Sequence, residues 1–350
     1  MELTRLLQPV WKGTKVYEES AMYVEGSEEV RLMYPPLEIE SVRDYTGKLF
    51  REGADYERTE EGLRFLPDGK IPRMKEKDFY PEKAEKDFFY LRDGGLIFFT
   101  EGGFFHRKQV RVTYTHAPSS LYAPQTLRGS LRRTKEKIAE GRLRLLFYGD
   151  SITCGANASA EIFFPPYQNA YPKLVAAGLQ RRNKYAAIEY ANTAEGGQTS
   201  EWGLKNVKER VLDRAPDLLV LAFGMNDGTW YGDENVFDRN IRGILDRVRG
   251  ELPETEVILV SSALANPLPC MKTEEGVFIP FCGIQEKYPP VLERIAREYG
   301  VSFANVTRMH KLLLQRKNFY EMTGNNVNHP NDFLHRCYAQ IILSLMEEEQ

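Results

Sequence analysis

From residue 143 onward the sequence alternates two kinds of apolar pattern, and this alternation restricts the fold more than any other feature. LRLLFYG (143–149), AAIEYAN (186–192), LLVLAFG (218–224), VILVSSA (257–263) and, more weakly, VSFANV (301–306) are short, nearly continuous apolar runs. Such runs suit parallel strands covered on both faces. Between them the apolar residues recur every three or four positions. Leu204, Val207, Val211 and Leu212 form one stripe; Val236, Ile241, Ile244, Leu245 and Val248 another; Val291, Leu292, Ile295 and Tyr299 a third. That spacing marks one face of a helix. A last helix follows Asn331-Asp332 and carries Phe333, Cys337, Ile341 and Leu345 on one face. Strands alternating with helices predict a doubly wound α/β sheet of about five parallel strands over 143–350.

The first 116 residues read differently. AMYV (21–24), VRLMY (30–34), FFYLRD (88–93), LIFFT (96–100) and VRVTYTH (110–116) are β-type runs, and Asp93-Gly94-Gly95 has the chemistry of a hairpin turn. No helical period is evident before residue 120. A small all-β sandwich or jelly-roll domain is therefore expected over 1–116. A linker is expected over 117–142, partly helical in LRGSLRRTKEKIAEGR. The 350 residues fit about two domains.

Several classes drop out. A net charge of -3 and a pI near 6.1 argue against a globally basic nucleic-acid binder. No apolar run approaches the roughly 18 residues of a membrane span, and the first 15 residues predict no secretory signal. Cys154, Cys270, Cys282 and Cys337 share no CxxC spacing, so they read as reduced thiols of a cytoplasmic protein rather than a disulfide frame or metal site. Cys154 reads as a small buried residue, and His106 and His116 as structural.

The chemistry-bearing residues gather where the strands end. In open α/β sheets, ligands bind at the carboxyl ends of the strands. The first run ends in Gly149-Asp150-Ser151-Ile152-Thr153, which places a serine hydroxyl at a strand-to-helix turn. The second is followed by Gly196-Gly197-Gln198-Thr199-Ser200, where two glycines allow close backbone approach to a ligand. The third ends in Gly224-Met225-Asn226-Asp227, offering an amide donor for a developing oxyanion. Near the C-terminus, Asn328-His329-Pro330-Asn331-Asp332 and His335 supply two of only five histidines.

Taken together and in this order, these blocks resemble the SGNH (GDSL-type) hydrolase family, over about residues 143–346. The resemblance implies a flavodoxin-like fold and a serine esterase that works without a cofactor or metal. It implies Ser151 as nucleophile and His329 as general acid–base. The N–H groups of Ser151 and Gly197, with the Asn226 side chain, would form the oxyanion hole. A β-sandwich ahead of the hydrolase domain is similar to the layout of carbohydrate esterases in that family. The expected substrate is therefore a short-chain ester, acetyl foremost, of a carbohydrate or small molecule. No nucleic-acid or membrane partner is implied, and the oligomeric state is left open. A lysophospholipase or thioesterase, and a degenerate carbohydrate-binding protein, stand as alternatives.

One position departs from the family pattern, which has Asp three residues before the catalytic histidine. Here Asn326 occupies that place. Three arrangements satisfy the sequence: Asp332 serves His329 from the other side, a backbone carbonyl completes a Ser–His dyad, or Asp332 and His335 form the pair. His329 is favoured, with Asp332 or Asn326 as third member. Trp202, Trp230 and Tyr231 follow the strand ends and are candidates for the substrate pocket.

Overall fold

The computed structural model describes residues 3–27, 29–83, 87–230, 232–281 and 283–347, with Trp230 described in its backbone only. At its centre lies a five-stranded, wholly parallel sheet. Its order is Ala187–Asn192, Arg142–Gly149, Leu218–Ala222, Glu256–Val260 and Ser302–Ala304. Counted along the chain this is 2-1-3-4-5, the flavodoxin-like order. Each of the five apolar runs contributes one strand. Leu218–Ala222 is buried at every position, as a central strand must be. Ala187–Asn192, at the edge, alternates exposed and half-buried residues.

Alternating side chains of these strands feed two apolar layers. Leu145 and Phe147 face the helices Tyr171–Arg182 and Asp332–Leu345. Leu146 and Tyr148 face the helices Ser200–Arg210, Glu234–Glu251 and Tyr288–Tyr299. The three predicted helical stripes lie in the second layer. Among the described residues no helix is long and apolar enough to cross a membrane.

The N-terminal region is strand-rich. One sheet pairs Leu49–Phe50, Pro36–Arg43, Gln109–His116, Lys15–Val24 and Arg73–Met74; a second pairs Val30–Arg31, Gly62–Phe65 and Tyr56–Arg58. Phe88–Tyr90 and Leu96–Phe98 form the hairpin expected around Asp93-Gly94-Gly95. Three short helices, Leu3–Leu6, Glu76–Phe79 and Phe104–Lys108, interrupt the strands. They are too short to show a helical period, so the sequence suggested none. The hairpin is extended by Cys270–Lys272 and Phe278–Pro280 from the second half of the chain, giving a four-stranded sheet with strands from both halves.

The last helix joins the halves most completely. All of its residues from Asp332 to Leu345 are buried, not only the stripe of Phe333, Cys337, Ile341 and Leu345. Its polar face is covered by the start of the chain. Gln340 accepts from the Val10 N–H at 3.1 Å and donates to the carbonyls of Leu6 and Gln8 at 3.0 and 2.8 Å. The Arg336 guanidinium donates to the carbonyls of Tyr17, at 2.7 Å, and Glu18. One apolar core consequently runs from Leu7 and Val10 to Leu345.

A buried ionic cluster repeats this link. Lys317 and Glu19 are fully buried and meet at 2.6 Å, and Glu321, also fully buried, lies 3.4 Å from the same ammonium. Glu19 also accepts from the Met33 N–H at 2.9 Å and from the Tyr114 hydroxyl at 2.7 Å. Glu321 accepts from the Asn318 N–H at 2.7 Å. Every charge there is paired and hydrogen-bonded, the condition under which ions tolerate removal from water.

Candidate active site

Ser151 opens a single helical turn, Ser151–Cys154, at the carboxyl end of the strand Arg142–Gly149. Asp150 caps that turn, its Oδ1 accepting from the Ile152 N–H at 3.0 Å. Burial pushes the Asp150 carboxyl up to about 7. As the first helical residue, Ser151 has an N–H with no partner inside its own turn. Ile152 and Thr153 take the inward positions of this turn and leave Cys154 exposed, which corrects the expectation of a buried thiol.

The Ser151 Oγ lies 3.0 Å from His329 Nε2. The two residues are 178 positions apart in the chain, and the sheet and the loop before the last helix bring them together. That loop is built around Asn325. Its Oδ1 accepts from the N–H groups of Val327, Asn328 and His329 at 2.9, 3.1 and 3.1 Å. Gly324 N–H and the Thr323 hydroxyl both donate to the His329 carbonyl at 2.9 Å. Gly324 is required by close approach: a Cβ there would sit 2.4 Å from Asn157 Cβ.

The other imidazole nitrogen has partners that the sequence did not indicate. Nδ1 is 2.8 Å from Asn157 Oδ1, and Glu101 carboxylate oxygens lie 3.4 Å away. Asn157 Nδ2 donates to the Gly324 carbonyl at 3.2 Å, which leaves Oδ1 to accept. The imidazole proton therefore sits on Nδ1, and the Nε2 lone pair faces the serine hydroxyl. Asn157 is itself held from the N-terminal region, where buried His106 contacts its carbonyl through Nε2 at 2.8 Å.

Neither sequence-proposed third member touches His329. Asp332 accepts from the N–H and hydroxyl of Ser159, at 2.8 and 2.7 Å, and so pins the loop that follows the nucleophile. Asn326 donates to the Phe98 carbonyl at 2.9 Å, and its carbonyl accepts from Asn266 Nδ2 at 2.8 Å. An amide rather than a carboxylate stands here because the partner is a carbonyl, which demands a donor. Asn326 also has φ +68°, a conformation asparagine tolerates better than most residues. Asn326→Asp, the change that restores the family pattern, is thus expected not to speed proton transfer. It should lower stability by about 1–3 kcal/mol through the lost donor. Denaturant unfolding and kcat/KM on a chromogenic ester check both parts; a rise in kcat/KM would mean that position 326 does reach His329.

His335 lies on the last helix. It is fully buried, accepts weakly from the Tyr171 N–H at 3.4 Å and lies 3.3 Å from the Ala156 carbonyl. Burial pulls its imidazole down to about 4, so it is neutral near pH 7.

The glycine loop lies beside the serine. A Cβ on Gly196 would be 3.9 Å from Ser151 Cβ, and Gly197 has φ +75°, which only glycine adopts freely. Asn226 is buried at the start of the helix Met225–Trp230 and donates through Nδ2 to the Gln198 carbonyl at 2.9 Å. The amide is thereby tied to the same loop as Gly197. Asp227 anchors that loop's far end, accepting from the Ser200 N–H at 3.0 Å and from its hydroxyl. Asn240 Nδ2 donates to the same hydroxyl at 3.0 Å. A carboxylate at a helix N-terminus is also favoured by the helix dipole.

Of the proposed pocket aromatics, Trp202 packs its ring 5.9 Å from Tyr148 and lies beneath the Arg210 guanidinium at 5.1 Å. It serves the helix–sheet packing of Ser200–Arg210. The Trp230 side chain and all of Tyr231 lie outside the described residues. Among the described residues no group of three or more His, Cys, Asp or Glu is placed to hold a metal ion.

A serine and a tautomer-fixed histidine at the carboxyl edge of a 2-1-3-4-5 sheet define a serine hydrolase of the flavodoxin-like class. Residues 147–337, more than half of the chain, match the model of the GDSL-like lipase/acylhydrolase family, and the chain belongs to that family. No curated protein matches it. Similar solved structures include a two-domain esterase active on acetylated mannans, co-crystallised with mannopentaose. It is 24% identical, with a TM-score of 0.48, over 63% of this chain and 54% of that one. An acetylxylan esterase from Geobacillus stearothermophilus is 20% identical, with a TM-score of 0.46, over 59% of this chain and 95% of that one. The chain thus spans about half the length of the two-domain esterase.

Proposed function

We propose that the chain is a serine esterase that removes a short acyl group, acetyl foremost, from a carbohydrate or similar polyhydroxylated molecule. The observation that carries the esterase reading is the 3.0 Å contact between Ser151 Oγ and His329 Nε2, with Nδ1 held by Asn157. In this reading the Ser151 oxygen attacks the ester carbonyl while its proton passes to Nε2. The carbonyl oxygen becomes an oxyanion, stabilised by the N–H groups of Ser151 and Gly197 and by the Asn226 amide. The tetrahedral intermediate collapses, the alcohol leaves with the proton from Nε2, and the acyl group stays on Ser151. Water, deprotonated by His329, then releases the acid and restores the serine. No cofactor enters this cycle.

The β-rich region ahead of the hydrolase fold supports the carbohydrate side of the reading. Nδ1 of His329 also has its partners without Asp at 326, which supports an active site over a decayed one.

The test compares p-nitrophenyl acetate, butyrate and octanoate with wild type and Ser151→Ala. Acetate is expected to be cleaved best, and the variant to fall to background. Faster octanoate cleavage would transfer the assignment to a lipase or lysophospholipase. A wild type inert on all three would favour a binding protein.

A further inference from the structure

We infer that Glu101, delivered by the N-terminal region, is the carboxylate that stabilises the charged His329 during acyl transfer. It does from a remote loop what the residue at 326 cannot. This rests on the serine esterase reading above.

Two different things are asked of the group behind a catalytic histidine: to fix the tautomer and to offset the positive charge the ring acquires. Asn157 Oδ1, at 2.8 Å, does the first, but an amide is neutral and does not do the second. Asp332 is committed to Ser159, and Asn326 to Phe98 and Asn266. Glu101 lies between the strand Leu96–Phe98 and the helix Phe104–Lys108, 228 positions from His329. Both its carboxylate oxygens are 3.4 Å from Nδ1.

The carboxylate is placed rather than drifting. Asn325 Nδ2 donates to Glu101 Oε1 at 3.0 Å, while the same amide's oxygen holds the His329 backbone. Three residues upstream, the Phe98 carbonyl is clamped by Asn326. Three residues downstream of Gly103, His106 clamps Asn157. The segment 98–106 is therefore fastened on both sides of Glu101 to the two loops that meet the imidazole. Burial alone would raise the Glu101 carboxyl, but its contacts with His329, Asn325 and Asn157 hold it below the ordinary range, so it is ionised at neutral pH.

Glu101 is a positioning residue in this scheme, because it acts through His329 and touches no reacting atom. Its side chain is 53% exposed, so solvent screens the attraction and the expected effect is about 10- to 100-fold in rate, well short of losing the histidine itself. His329 is also electrostatically coupled to Asp150, at the nucleophile turn, and to His335, on the last helix. Neither changes when Glu101 is replaced.

The experiment follows two reactions of Ser151 across pH: cleavage of p-nitrophenyl acetate, and labelling by a fluorophosphonate. In the second, the serine oxygen bonds to phosphorus, fluoride leaves and His329 takes the proton. Glu101→Gln is expected to slow both about 10- to 100-fold. It should also move the acid limb of each pH profile to lower pH, since a positive imidazole loses its counter-charge. Glu101→Asp should lie between Gln and wild type, and Tm should stay within a degree or two because the side chain is half in solvent. A purely structural role for Glu101 would leave the acid limb in place. Ser151-dependent reactions with unchanged rate and unchanged acid limb in Glu101→Gln would overturn the inference alone. Turnover and labelling that survive Ser151→Ala would overturn the esterase reading and this inference together.

Discussion

His329→Ala is expected to lower kcat for p-nitrophenyl acetate by about 10⁶-fold, Ser151→Ala by a similar factor, and the double variant by no more than either. The near-identity of the three losses is the informative part. Ser151 and His329 are 3.0 Å apart and share one proton, so removing either disables the same step. Had they acted independently, the double variant would multiply the losses. About 10³-fold acceleration over water should survive in all three, supplied by the oxyanion donors and by binding. Single-turnover kinetics with active-site titration measures this. Additive losses would show that His329 does not serve Ser151. The proteins should remain folded, because His329 is near the surface with 16% of its side chain exposed and Ser151 is only half-buried.

The second large effect concerns stability. Lys317→Met is expected to destabilise the fold by about 3–5 kcal/mol, the cost of leaving buried carboxylates without their counter-charge. Glu19 and Glu321 both lie against that ammonium with no exposure to solvent. The lysine is held above its ordinary range by the pair, even though burial alone pulls it down. Replacing the whole cluster, with Glu19→Gln and Glu321→Gln added to Lys317→Met, should recover much of the loss, because no unpaired ion then stays inside. Urea unfolding midpoints distinguish the two variants. A single variant as stable as wild type would mean that water reaches the cluster. Activity should fall along with stability, since Glu321 leads into the loop that carries His329: the Asn331 amide donates to the Glu321 carbonyl at 2.9 Å.

What could be read in advance, and what could not, divides by distance along the chain. The five strands and the helices between them were legible because strand and helix periods are local properties of a few adjacent residues. The four motif blocks were legible for the same reason, each being a short word at a strand end. The partners of His329 Nδ1 were not. Asn157 sits in Gly155-Ala156-Asn157, close behind the nucleophile, and its role depends on a φ of +59° and a loop path that spacing does not encode. Glu101 is one of 50 acidic residues, and nothing local sets it apart. The strands Cys270–Lys272 and Phe278–Pro280 were missed because three-residue strands show no period. The identity of Asn326 looked like a defect in the sequence. In space it is a requirement imposed by the Phe98 carbonyl.

The covering of the last helix by the first twenty residues has an evolutionary side. Removing residues 3–20 would not leave a leaner version of the same catalyst, because the helix that follows the catalytic histidine would lose the backbone groups that satisfy Arg336 and Gln340. Recombination that trades the strand-rich region for a foreign one is therefore tolerated only if the newcomer brings equivalent backbone groups to the same helix.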